Sequence, residues 1–165
     1  MPIQSTDIVL RLSGGASNAV PAASLGGAKS SVAAGTNIFD NVTGAEAAAG
    51  DVEYRCVYVH NAHATLPLDN AVAWLTANTP SASTDIALGL GSSALNATEQ
   101  TVADEQTAPA GVTFSAAASK GAGIALGSIP AGQSRAIWYR RTVSAGAAAV
   151  ASDTFNVRVE GDTAA

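Results

Sequence analysis

Apolar and polar positions alternate along much of this chain, and the alternation predicts strands. Residues 51–61, DVEYRCVYVHN, place Val52, Tyr54, Cys56 and Tyr58 on one face of an extended segment and Glu53, Arg55, Val57 and Val59 on the other. Residues 152–162, SDTFNVRVEGD, alternate Phe155, Val157 and Val159 with Asn156, Arg158 and Glu160. The run IPAGQSRAIWYRRTV turns at Pro130-Ala131-Gly132 and continues as a strand from residue 135 to 143. In that strand Ala136, Trp138 and Arg140 share one face, and Ile137, Tyr139 and Arg141 share the other. Both faces are mixed, so the pattern predicts burial on one side near Trp138 and cover by a partner elsewhere.

Shorter strands are predicted at residues 7–12 (DIVLRL), around 71–75, and in DIALGL, GVTFSA and AGIALGSI, with NTPSAST as a turn and residues 92–110 as a long polar loop. No segment sustains a 3.6-residue apolar period, and AEAAA is too short to be a stable helix alone. Short strands between Gly, Pro and Asn turns indicate an all-β fold, an antiparallel sandwich or barrel, with a β-sandwich or jelly-roll-like domain as the expected form. Residues 13–37, SGGASNAVPAASLGGAKSSVAAGTN, break this rhythm: they lack aromatics and carry one charge, Lys29. They read as an irregular, extended arm that gains order against a neighbour, since a solvated tail is usually richer in charge. The expected organisation is a strand and arm over residues 1–50 and a β-sandwich over 51–165. Ile38 and Phe39 form an isolated apolar pair after the arm.

Composition sharpens this picture. Of 165 residues, 47% are hydrophobic, but 37 are alanine, so the core must come from Val, Ile, Leu and a few aromatics. Charged residues are 13%, against roughly 25% in ordinary soluble domains. A surface this sparsely charged suits contact with other protein. The net charge of −5 argues against nucleic acid, whose binding draws on Lys and Arg. No stretch approaches the roughly 18 apolar residues of a membrane helix. No secretory signal is visible, and a single cysteine, Cys56, fits a protein made in a reducing cytoplasm.

Candidate chemistry is thin. His60 and His63 in HNAH invite a metal reading, yet Cys56 and Asp69 complete no zinc spacing. Cys56 reads as an inert buried thiol, and Asp104-Glu105 as solvated loop charges that lack the facing geometry of a glycosidase pair. GGAKSS lacks the full phosphate-loop pattern. Asn41 and Asn96 match the glycosylation acceptor pattern by chance. The reading is of a protein without catalytic residues, metal or cofactor.

Taken together, RLSGGASNAVPAASLGGAKSS, NVTGAEAAAGDVEYRCVYVHN, IPAGQSRAIWYRRTVSAGAAA and DTFNVRVEGDT resemble a family of tailed-bacteriophage virion proteins. Within it the chain is most similar to capsid decoration, or cement, proteins. The resemblance implies a virion structural protein on the capsid exterior, assembled in the host cytoplasm, that binds the major capsid protein and its own copies as a homotrimer. It implies neither nucleic-acid nor membrane contact. Leu25, Ile38 and Phe39 are the expected apolar anchors of the arm, with Trp138, Tyr139 and Arg141 as further partner-binding residues. The alternative is a tail, baseplate or fibre component that stacks host glycan on Trp138 or Tyr139.

Overall fold

The computed structural model describes residues 2–163. In chain order its elements are β1 (Ile8–Leu12), β2 (Gly26–Gly27), α1 (Gly44–Ala49), β3 (Asp51–Asn61), β4 (Leu68–Ala77), β5 (Thr84–Leu90), β6 (Glu99–Thr101), β7 (Phe114–Ser115), β8 (Ile124–Ile129), β9 (Ser134–Val143) and β10 (Asn156–Asp162), with one turn of 3-10 helix before β1 and two more between later strands. All strand pairs are antiparallel. The fold is an all-β sandwich. A five-stranded sheet in the order β1-β3-β9-β5-β7 packs against a three-stranded sheet, β10-β4-β8. None of the helices among the described residues is long and apolar enough to cross a membrane. The final two positions of the 51–165 unit, and Met1, lie outside the described residues.

The core between the sheets follows from side-chain alternation. Val57, Val59, Ile86, Leu88, Ile137 and Tyr139 project from the large sheet toward Ala71, Ala73, Leu75, Leu126 and Ile129 of the small one. The opposite face of the large sheet is buried as well. There Tyr54, Cys56, Tyr58, Ala136 and Trp138 form a second cluster with Val102, and Leu25, Val112 and Phe114 pack against it. The strand β3 is therefore covered on both faces, as a central strand of a layered fold is.

The cover on that second face combines part of the segment read as an arm for a neighbour, through Leu25 and β2, with the stretch that carries β6, Val102, Val112 and Phe114. The neighbour is the chain's own sheet. Residues 30–34 fold back along β1: Ser30 N donates to Leu12 O (2.8 Å), Leu12 N to Val32 O (3.1 Å) and Ala34 N to Leu10 O (2.8 Å). Beyond the end of β1, the free edge of β3 is completed by Cys56 N donating to Ser24 O and Tyr54 N to Glu105 O, both 2.7 Å. The small two-stranded sheet of β2 and β6 lies over Tyr58, whose hydroxyl donates to Gly27 O (2.7 Å) and accepts from Glu99 N (2.8 Å).

Small side chains make this possible. Ser13, Ser24 and Ser30 are fully buried, and the Ser13 hydroxyl donates to Cys56 O (2.9 Å) while accepting from Gly26 N (3.1 Å). Gly26 sits at φ +91°, and a Cβ there would fall 1.8 Å from Gln100 O. Only glycine fits so close an approach in that conformation. The low-complexity composition is what lets backbone lie flat on backbone while hydroxyls satisfy the buried amides.

Candidate functional site: a charged cluster at one end of the sandwich

Along the inner face of the large sheet, apolar residues give way to charged ones. On β3 the series runs Val59, Val57, Arg55, Glu53, Asp51, and on β9 it runs Ile137, Tyr139, Arg141. Glu53 and Arg141 are directly opposed in register. Arg55 is fully buried, Glu53 is 1% exposed and Arg141 is 8% exposed. Burying such groups is costly unless each charge is paired and hydrogen-bonded, so the partners matter.

Most partners are in place. Arg141 binds the Glu53 carboxylate through Nε and Nη2, and its Nη1 donates to Asp40 O (2.6 Å). Asp40 Oδ1 lies 3.4 Å from Arg141 Nη2 and 3.7 Å from Arg55 Nη2. Arg55 also pairs with Glu105, which reaches in from the loop after β6. The Phe39 ring faces both guanidiniums, with Arg141 Cζ at 4.8 Å and Arg55 Cζ at 5.5 Å from its centroid. Phe155 closes the assembly, packing at 6.3 Å against Phe39 and edge-on at 5.7 Å against Tyr139. Burial raises the pKa of Glu53, opposed by the neighbouring Arg141 and Arg55 and reinforced by Asp40.

Above this cluster a groove of about 890 Å³ runs between residues 36–48 and residues 146–155. Ile86, Val143 and Phe155 line its apolar part, and Arg141 reaches it from the cluster below.

The residues expected to meet a partner are mostly internal. Ile38 and Phe39 close the chain's own core, where Ile38 is 5% exposed. Leu25 packs against the cluster around Cys56 and Trp138. Trp138 is completely buried and Tyr139 nearly so, each on its own face of the central strand β9, so that strand offers solvent no aromatic platform for a sugar. Arg141 is held by Glu53 and Asp40. Ile38, Phe39 and Tyr139 lie in or against the core between the two sheets and Arg141 extends that same face, while Leu25 and Trp138 belong to the cluster on the opposite face, so both faces are covered by this chain's own segments.

Among the described residues, neither histidine belongs to a cluster of potential metal ligands. His60 Nδ1 lies 3.0 Å from Lys29 Nζ and 3.1 Å from Gln133 O, and burial together with Lys29 and Arg11 lowers its pKa. His63 Nδ1 accepts from Leu66 N (2.9 Å) and Thr65 N (3.2 Å), which shapes the turn before β4. Cys56 is fully buried, and burial pushes its thiol pKa up.

Sequence reasoning missed Asp40, Glu53 and Arg55 as a buried set, and it read Glu105 as solvated. One signal was available: Glu53 and Arg55 share a face with Val57 and Val59. Asp40 and Glu105 converge on that face only through the fold. Comparison with protein-family models, with curated proteins and with solved structures finds no match to this chain.

Proposed function

We propose that this chain is a non-catalytic virion structural protein, a decoration protein that binds the outer surface of a phage capsid and its own copies. The observation that carries this reading is the division between inside and outside. Side chains with chemical capacity are held inside by structural bonds: Cys56 is sealed, and Glu53, Arg55, Glu99 and Arg141 are buried in ion pairs and hydrogen bonds. Outside, among the described residues, the large exposed hydrophobics are Val20 (57%), Val52 (36%) and Val150 (45%). The rest of the surface is dominated by small neutral side chains, which allow close approach of another protein without a costly desolvation of charge.

A surface of this kind gives weak individual contacts, and repetition makes them sufficient. Trimerisation would present several capsid contacts at once and multiply occupancy through effective concentration. The self-contained fold supports attachment of a finished module to a finished shell. The edge strands of the small sheet, β8 and β10, each have one hydrogen-bonded neighbour among the described residues. Arg158 and Glu160 on β10 are ion-paired to one another at the surface, a pattern that discourages indiscriminate strand addition.

Binding of the purified full-length chain to heads that lack it tests the proposal by co-sedimentation. Saturation in proportion to the repeating units of the shell is the expected result. Absence of binding to heads, or binding limited to the few copies of a tail structure, would overturn it.

A further inference from the structure

Two groups of three carboxylates bring one oxygen each within 4.8 Å of one another: Asp40, Glu53 and Glu105, and Glu46, Asp51 and Glu53. They differ in what stands among the oxygens. The first group is bridged by the guanidiniums of Arg55 and Arg141. In the second, Glu46 and Asp51 have no ion pair among the described residues. Around this end of the sandwich five carboxylates therefore face two guanidiniums, a formal charge of −3.

An independent observation points the same way. Asp51 Oδ2 and Glu53 Oε1 are both sealed from solvent, and neither has a hydrogen-bond partner among the described residues. The Glu53 side chain is only 1% exposed. Its other oxygen, Oε2, is taken by Arg141, so Oε1 is the one left without a counterpart. Buried carboxylate oxygens are rarely left so, because the desolvation cost is uncompensated.

We propose that Glu46, Asp51 and Glu53 form a binding site for a divalent, oxygen-seeking cation, and that calcium is the ion it fits. Asp51 and Glu53 stand two residues apart on one face of β3, while Glu46 comes from α1, immediately before it. The donors are all carboxylate oxygens, which selects a hard ion over zinc. Calcium holds its oxygens at about 2.3–2.6 Å, so oxygens on opposite sides of one ion lie roughly 4.6–5.2 Å apart. The three oxygens already lie within 4.8 Å of one another. Magnesium would require a tighter octahedron and retains much of its water. Glu53 thus serves two cations, Arg141 through Oε2 and the ion through Oε1. The ion ties α1 to the sandwich, and since Gly44 and Ala47 of α1 line the groove, it fixes one groove wall. None of this depends on the capsid reading.

The test uses the full chain, stripped with a chelator and titrated with calcium chloride, and separately with magnesium chloride, by calorimetry and thermal melting. Glu46→Gln is the key variant. Glu46 Oε2 accepts from Thr43 N (2.6 Å) in a capping box, and a glutamine carbonyl keeps that bond, so α1 remains intact while the charge is lost. Asp51→Asn is the second variant. The expected result is one calcium per chain, a raised melting temperature, weaker magnesium binding, and an affinity loss on the order of tenfold or more in each variant. Absence of calcium binding by the parent chain at millimolar concentration would overturn the proposal, as would unchanged calcium affinity in Glu46→Gln. Magnesium binding as tight as calcium would overturn the assignment of the ion.

Discussion

The Ser13 hydroxyl joins the covering segment to the sheet beneath it, and Ser13→Ala removes that joint with almost no change in volume. Two buried groups then lose their partner: Cys56 O, which accepts at 2.9 Å, and Gly26 N, which donates at 3.1 Å. A buried polar group left unsatisfied costs about 1–3 kcal/mol. Costs at adjoining groups do not add in full, so the expected loss is about 2–4 kcal/mol. Against a typical domain stability of about 5–15 kcal/mol this is a large fraction. Urea denaturation measures it directly. The single thiol gives a second readout, because Cys56 is fully buried beneath the same segment and reacts only when the cover opens. At about 1.4 kcal/mol per tenfold change, labelling of Cys56 by an aromatic disulfide reagent under native conditions should quicken roughly 30- to 700-fold. A stability change below about 0.5 kcal/mol with unaltered labelling would place the substitution among ordinary surface changes and refute the claim that this segment is an integral layer.

Two further outcomes follow from the charged groups. Arg141→Ala leaves Glu53 buried without its guanidinium and should cost about 3–5 kcal/mol by urea denaturation, whereas Arg158→Ala, at an exposed pair with Glu160, should cost less than about 1 kcal/mol; equal effects would contradict the assignment of the first pair to the core. For Glu99, burial pushes the pKa up, but hydrogen bonds from Ser93 and Ser92 outweigh it and bring it down to about 2. Its folded pKa lies below the usual 4.5, so its stabilisation is present in full above about pH 4.5 and is lost as the pH falls toward about 2. Melting temperature measured across that window should therefore fall more steeply for the parent chain than for Glu99→Gln, and parallel curves would count against it.

Strands with a full-sized alternating face were legible in the sequence: β3 and β9 lie where the pattern in DVEYRCVYVHN and RAIWYRRTV places them, and β10 begins at Asn156, inside the longer run SDTFNVRVEGD. The second covering layer was not. Its binding to the sheet rests on backbone hydrogen bonds, buried serines and the left-handed turn at Gly26, none of which produces an apolar period. Leu25, Ile38 and Phe39 read as spare anchors because the pattern does not show what packs on them; Ile38 is buried in the core, and Phe39 and Leu25 are partly buried against the two clusters. The charged cluster was half legible. Glu53 and Arg55 announce themselves by sharing a face with Val57 and Val59, but a charge in a strand ordinarily marks the solvated side. Asp40, Glu105 and Arg141 come from distant stretches, and Glu46 is placed beside Asp51 only by the turn at Gly50, where φ is +79°. Such convergence is a property of topology.

The most direct test of the capsid proposal is to image heads with and without the purified chain and compare the two density maps. Difference density of about this domain's size is expected, repeated over the outer shell at symmetry-related positions and contacting the major capsid protein. An unchanged shell, or difference density confined to the tail, would contradict the proposal.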